Sequence, residues 1–363
     1  MRNETPESMR AWVLGGPGEI RMIEKPVPQP GPAEVLVRIG AIAVCHTDIE
    51  VLHNGHPAMI EGESPFNKDF TMGHEYMGYV AKTGPSVDEW QEGDRITAEV
   101  HAGCGRCPKC REGMYTSCHN YSYRSKGHRA NGFTTDGGFA EYAVNNINTL
   151  VRAPDHLSDE VCTLTVTAGT AMYGLDAMGG LVAGQSLVVT GAGPIGLMFI
   201  AIAKTLGAAP VIMSEPREDR REMAGKLGAD ILIDPMKEDP VAMVRELTGG
   251  KGADFTVEAS GVPSVVNQTI YMTNRGGRLC LAAFATDLVP TDLAYVVSNN
   301  IYMFGIRGEG ESAVKRAAAL LGQKRFDPAP IHTHTFPFEE TPMAISYAED
   351  QTDGAIKVVV KMD

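Results

Sequence analysis

The tightest constraint on this 363-residue chain is the run S186-L-V-V-T190, followed by G191-A-G193-P194-I195-G196 and a helical stretch to Leu206. An apolar β-branched run that breaks at closely spaced glycines and restarts with helical periodicity predicts strand, tight turn and helix. In that setting the glycines serve the turn, a close backbone approach and close packing of helix on strand. The helix N-terminus then presents unpaired N–H groups, which suits the pyrophosphate of a dinucleotide at Gly191, Gly193, Pro194, Ile195 and Gly196. The next predicted strand, P210-V-I-M-S-E215, ends on an acid. A carboxylate there accepts the ribose hydroxyls of NAD and repels the 2′-phosphate of NADP, so NAD is the expected cofactor. Arg217 and Arg220 follow. An arginine near the ribose can hold a 2′-phosphate instead, so Arg220 joins Glu215 in the expected cofactor site and NADP stays open.

The same alternation continues through a helix at 217–228 and further strands in ILID, DFTVEAS and GRLCLAAF. Short apolar strands separated by helices predict an α/β region with a parallel, doubly wound sheet covered on both faces. Residues 10–150 have a different rhythm, with short strands at 11–14, 34–44 and 95–100 and a proline-rich connector at 26–32. That rhythm predicts a β-rich, barrel-like domain. A lone strand at 355–362 follows the last helix and could return to it. With 45 acidic against 32 basic residues the net charge is −13, which argues against nucleic acid or an anionic membrane as partner. The longest apolar run, Ile195–Ala203, is half of a membrane span. The polar start MRNETPESMRAWV carries no secretory signal, and Met9 could be a second start that leaves eight residues as a tail. A soluble cytoplasmic chain without structural disulfides is expected.

Four of the seven cysteines fall in C104-G-R-C107-P-K-C110-R-E-G-M-Y-T-S-C118. Two-residue gaps let the thiolates of Cys104, Cys107, Cys110 and Cys118 converge on one ion, and a four-cysteine site is closed and therefore structural. Free thiols are the plainer alternative, and the clustering opposes it. A second set is dispersed: Cys45 in C45-H-T-D48, and His74 with Glu75 in G73-H-E-Y-M-G78. Taken alone, these would most often be a core thiol and a surface pair, and spacing does not establish that they meet. A thiolate, an imidazole and a carboxylate with an open fourth position would nevertheless form a catalytic zinc site.

In this order and at these intervals the motifs resemble the zinc-dependent medium-chain dehydrogenases, the alcohol, sorbitol and threonine dehydrogenase family. The likeness spans nearly the whole chain, with smaller echoes in G137-G-F-A-E-Y142, G-A-D-F-T-V-E-A-S-G261 and the closing K-V-V-V-K. It implies a GroES-like β-rich catalytic domain from residues 1–155 and 301–363, with a Rossmann domain inserted at 156–300. Carried over residue by residue, Cys45 and His74 become ligands of the catalytic zinc, and Glu75 coordinates it directly or through water. Asp48 orients the imidazole, Thr47 bonds the substrate hydroxyl and begins a proton relay, and Glu50 stands where relatives have a histidine that passes the proton out. A solvated surface carboxylate is the equal alternative for Glu50. His46 is expected at the cofactor pyrophosphate, Arg307 at the cofactor and Ser260 on its nicotinamide side, while His53 and His56 are taken as loop residues. The chain departs from the family at T163-L-T-V-T-A-G169, where another acidic or cysteine ligand is usual. Either water fills that fourth position, which is the expectation, or Cys162 reaches in through a shifted register; with water there, Cys162 and Cys280 are read as core thiols.

The resemblance implies NAD-linked oxidation of a secondary alcohol to a ketone, with a polyol or sugar alcohol as substrate and two zinc ions per chain. L-threonine 3-dehydrogenase or a simple alcohol dehydrogenase is the alternative. A zinc-free quinone reductase would lack both metal motifs. A zinc-ribbon interaction module is opposed by the net charge and by scarce aromatics near the cysteines. A homotetramer or dimer acting on a small molecule is expected.

Overall fold

The alternation in the first part of the chain condenses into nine strands: β1 (Ser8–Leu14), β2 (Ile20–Pro26), β3 (Glu34–Ala43), β4 (Glu75–Thr83), β5 (Arg95–Ala98), β6 (His101–Gly103), β7 (Arg129–Ala130), β8 (Tyr142–Asn146) and β9 (Leu150–Arg152). The computed structural model describes residues 5–56, 63–285, 287–310 and 312–362. Of the eight residues read as a tail, the first four lie outside that range. The run at 95–100 is one strand by pattern, but the chain leaves the sheet after Ala98, and β6 pairs with β7 instead.

By compactness the chain divides into Met1–Val166 with Gly308–Gly322 and His332–Asp363, and Thr167–Arg307 with Gln323–Ile331. The first unit is organised by a seven-stranded sheet, β16-β17-β3-β4-β5-β9, in which β16 is His332–Pro337, β17 is Lys357–Lys361, and β8 also pairs with β3. Strand β3 is central. One edge carries β4, while the other carries β8 along its first half and β17 along its last residues. It is covered on both sides, so its sequence EVLVRIGAIA is nearly continuously apolar and only Arg38 is exposed. Trp12, Ile39, Ile42, Tyr76, Phe139, Val358 and Val360 belong to the main core. The Trp12 indole N–H satisfies itself on the Phe338 carbonyl at 2.8 Å.

The second unit holds six parallel strands: β10 (Leu187–Thr190), β11 (Val211–Ser214), β12 (Ile231–Ile233), β13 (Ala253–Glu258), β14 (Thr273–Leu281) and β15 (Tyr302–Gly305). Their order is β12-β11-β10-β13-β14-β15. The boundary read from the sequence at 300/301 would cut β15 away. Its parallel pairing with β14 keeps it in this unit. β10 and β11 are buried throughout, as apolar runs in a two-sided sheet must be. Chain order reverses at β10, and in open parallel sheets the crevice for a ligand lies past the strand ends at such a reversal. Among the described residues no helix is long and apolar enough to cross a membrane.

Candidate active site

In the first unit the dispersed metal set is gathered by strand register. Ala43, the last residue of β3, pairs with Glu75 on β4 and with Val359 on β17. The chain then passes through Val44 to Cys45, which is the N-cap of the helix His46–Asn54. Cys45, His74 and Glu75 thereby bring one donor atom each within 4.8 Å of one another. Asp48, only 1 % exposed, ties two of them together. Its Oδ2 accepts the Cys45 backbone N–H at 2.9 Å, and its Oδ1 lies 3.1 Å from His74 Nδ1. With Nδ1 engaged, Nε2 is the ring nitrogen left for a metal. Burial alone would depress His74, but Asp48 and the Cys45 sulfur outweigh it and hold the imidazole well above the ordinary histidine value. The site therefore demands a positive charge. A thiolate, an imidazole and a carboxylate fit zinc with three protein ligands and an open position.

The neighbouring residues read from the sequence fall around this cluster. The Cys45 thiol donates to Thr47 Oγ1 at 3.8 Å. His46 and Glu50 approach to 3.8 Å, one turn apart on the helix, with the His46 side chain 79 % exposed. His53 pairs with Glu349 at 3.0 Å, and His56 meets the Phe70 ring edge-on. Cys162 packs with Ala41, Ala43, Met77, Ala153 and Val359, and burial pushes its thiol up to about 11. Cys280 is buried in β14, where burial pushes it up to about 12.

The four-cysteine lobe is built from one short segment. Cys107 and Cys110 sulfurs lie 3.5 Å apart, Cys107 and Cys118 3.9 Å, and Cys104 and Cys110 3.9 Å. No disulfide joins them. The Cys110 and Cys118 sulfurs accept backbone N–H groups from Cys104 and Asn120 at 3.4 and 3.3 Å, and Asn120 Nδ2 donates to Cys104 at 3.3 Å. Burial works against ionisation of Cys104, yet Asn120 and the N–H groups of Arg106 and Cys107 draw it down to about 6. Cys107 is lowered too, against its burial, by N–H groups of Cys110 and His119, whereas burial raises Cys110 and Cys118. Four sulfurs within 4.8 Å of one another suit one tetrahedral ion, which would draw the protons from all four.

In the second unit the glycine turn follows β10. Gly191 has φ +93°, and a Cβ there would meet the Ser260 backbone at 2.8 Å. Gly193, by contrast, faces open space, so the backbone can approach a ligand at that point. Gly193 caps the helix Pro194–Thr205 without a side-chain bond, leaving its first N–H groups for phosphate oxygens. Glu215 accepts the Ala192 N–H at 2.8 Å and the Arg217 N–H at 3.0 Å, so the acid is pinned against the turn. Arg220 is buried beside it, and its guanidinium donates to the Ala192 carbonyl at 3.3 Å. Ser260 is held by Glu258, whose carboxylate also accepts the Gly261 N–H at 3.1 Å. Arg307 follows two residues after β15, partly buried.

Some residues at these sites were not singled out by the sequence. Lys357 forms a short ion pair with Glu75 and is 3 % exposed. In the pattern K-V-V-V-K it resembles a solvent-facing strand end, and only the register of β17 against β3 reveals it. Glu258, at the end of β13, looked like part of a family echo rather than the anchor of Ser260. Glu99, His101 and Glu309 form a buried polar group near the lobe, with His101 Nδ1 3.5 Å from Glu309 and Nε2 3.0 Å from Tyr121.

Fold, cysteine motifs and glycine turn together describe a zinc-binding dehydrogenase built on a GroES-like and a Rossmann-type domain. Residues 31–155 match the family described as alcohol dehydrogenase GroES-like domain, and residues 194–323 that described as zinc-binding dehydrogenase. The chain belongs to the zinc-dependent medium-chain alcohol dehydrogenase family. It is 36% identical over 336 residues to L-threonine 3-dehydrogenase of Pyrococcus horikoshii, covering 91% of this chain and 92% of that one. It is 28% identical to sorbitol dehydrogenase of Bacillus subtilis, over 99% of both chains. Among solved structures, 2R,3R-butanediol dehydrogenase of Bacillus subtilis superposes with a TM-score of 0.86 at 26% identity, over 98% of this chain and 100% of the other.

Proposed function

We propose that the protein oxidises a secondary alcohol to a ketone with NAD, and that its substrate is a polyol or sugar alcohol. The observation that carries the chemistry is the convergence of Cys45, His74 and Glu75 within 4.8 Å beside the buried Asp48. When bound, zinc supplies the Lewis acidity that lowers the pKa of a hydroxyl, and NAD supplies the hydride acceptor. Cys45 and His74 hold the metal, with Glu75 as a third donor directly or through water, and Asp48 fixes the His74 tautomer. Thr47, next to the Cys45 sulfur, accepts the hydrogen bond of the substrate hydroxyl and starts its proton outward. Glu50 and His46 stand on the solvent side of the same helix. In the second unit Gly191, Gly193, Pro194, Ile195 and Gly196 seat the pyrophosphate, Glu215 takes the ribose, and Arg220, Ser260 and Arg307 complete the cofactor site. The first unit is thus the catalytic domain and the second the cofactor domain. A cytoplasmic homotetramer or dimer belongs to the same reading and rests on the family resemblance.

A second reading is L-threonine 3-dehydrogenase, favoured by the 36% identity to the Pyrococcus enzyme against 28% to the sorbitol enzyme. A panel of polyols, small alcohols and L-threonine with NAD and NADP separates them. The expected result is a kcat/KM for a polyol with NAD about tenfold or more above the other pairs. L-threonine at the top selects the second reading. No turnover of any secondary alcohol overturns both.

A further inference from the structure

We propose that Asp219 is a specificity-determining residue of the cofactor site, holding the Arg217 guanidinium in a two-point ion pair and so withholding from a 2′-phosphate the cation that would bind it. The inference rests on the reading of Glu215 and the glycine turn as the NAD site, where it makes the preference for NAD the work of two acids.

The sequence places three arginines directly behind the ribose acid, in E215-P-R217-E-D219-R220-R221. Three guanidinium groups there would suit a phosphorylated ribose, which carries up to about two extra negative charges. The structure engages each of them within the protein. Arg221 donates from Nη1 to the Glu215 and Pro216 carbonyls at 2.7 and 2.6 Å and pairs with Asp234 at 3.1 Å. Arg220 is buried against the glycine turn, on the Ala192 carbonyl. Arg217 is the N-cap of the helix Glu218–Lys226, and its side chain is 40 % exposed. Its Nε donates to Asp219 Oδ1 at 3.2 Å and its Nη2 to Asp219 Oδ2 at 2.8 Å.

A guanidinium forks onto a phosphate through the same kind of N–H pair, so the Asp219 carboxylate and a 2′-phosphate compete for one edge of Arg217. The arginine stands where that competition matters. Its backbone N–H donates to Glu215 Oε1 at 3.0 Å, which fixes it beside the acid that takes the ribose. The bond to Asp219, and after it the charges of Asp219 and Glu215, raise the Arg217 guanidinium, while burial and then Arg217 lower that of Arg220. These four side chains thus share one local field at the ribose end of the site. Asp219→Asn keeps the shape of the residue, removes one negative charge from that field and leaves the Nε–Nη2 edge of Arg217 to the ligand. Both partners are exposed, so the pair is weakly held and its loss leaves the helix folded.

The test measures binding rather than turnover, by titrating NADH and NADPH into the full-length protein and following the nicotinamide fluorescence. The wild type is expected to hold NADH about tenfold or more tightly than NADPH. Asp219→Asn is expected to tighten NADPH about tenfold, to leave NADH within about twofold, and to make NADPH binding more sensitive to salt. Arg217→Met alone leaves NADPH within about twofold of the wild type, because the arginine it removes was already engaged. In Arg217→Met/Asp219→Asn the gain disappears. An Asp219→Asn protein with the wild-type ratio of the two affinities overturns the inference, since a merely structural residue would move both cofactors together. An equal gain in the Arg217→Met background overturns it too, because Asp219 would then act by its own charge alone, and so does a wild type that prefers NADPH. A wild type that binds neither nucleotide overturns the cofactor reading beneath it.

Discussion

The two cysteine sites differ in how the chain assembles them. In the lobe, all four donors come from residues 104–118, and the nearest stabilising groups are backbone N–H bonds and Asn120. At the Cys45 site the donors come from residues 45, 74 and 75, with Asp48 behind the imidazole and Lys357 behind the carboxylate. The first arrangement offers four identical ligands that would close on an ion. The second spends some of its charge on neighbours, and its three mixed donors would leave a position open on a bound metal. A local site can thus be folded by its metal, whereas a site at the ends of three strands is folded by the sheet and only completed by metal.

The largest expected effect follows from that contrast. The hydrophobic cluster of the lobe consists of Cys107, Cys110 and Cys118 packed with Cys104 and Tyr115, so a bound ion would take the place of a core. Cys107→Ser is expected to cost on the order of 5 kcal/mol of lobe stability. Calorimetry together with proteolysis within 104–118 measures it, and an unchanged melting profile would break the comparison. Asp48→Asn should act at the other site alone. It leaves the fold intact and weakens metal binding there about 10–100-fold, read by chelator competition. Equal loss from both sites would mean that the two are not independent.

The smallest effect concerns the buried acids beside the lobe. Burial, and then Glu309, push Glu99 from 4.5 up to about 9. Its folded value lies above its unfolded one, so the folded state keeps a proton that the unfolded state releases. Stability is then present in full below about 4.5 and declines as pH rises toward 9. Glu99→Gln should remove that slope and stabilise the protein by about 1 kcal/mol at alkaline pH, seen in urea unfolding at two pH values. Parallel pH profiles for wild type and variant would contradict it.

What the sequence made legible follows the same division. The glycine turn and the lobe are contiguous, so strand pattern, spacing and residue chemistry point to them directly. The Rossmann-type sheet was readable for the same reason, since each strand and helix carries its own period. Cys45, His74 and Glu75 could be grouped only through resemblance, because their meeting depends on Ala43 pairing with both Glu75 and Val359. Lys357 was invisible for a further reason: a lysine bounding three valines looks solvated until the sheet places it against an acid. The strand Tyr302–Gly305 likewise belongs with the parallel sheet through pairing that no local pattern states.

The central claim is that one cysteine site is structural and the other catalytic. Zinc content and turnover, measured together on the wild type and on Cys45→Ser, test it most directly. The account expects about two zinc ions per chain in the wild type and about one in the variant. The variant should stay folded while kcat/KM falls by about a thousandfold or more. A Cys45→Ser protein that has lost that zinc and still turns over at the wild-type rate would contradict the account.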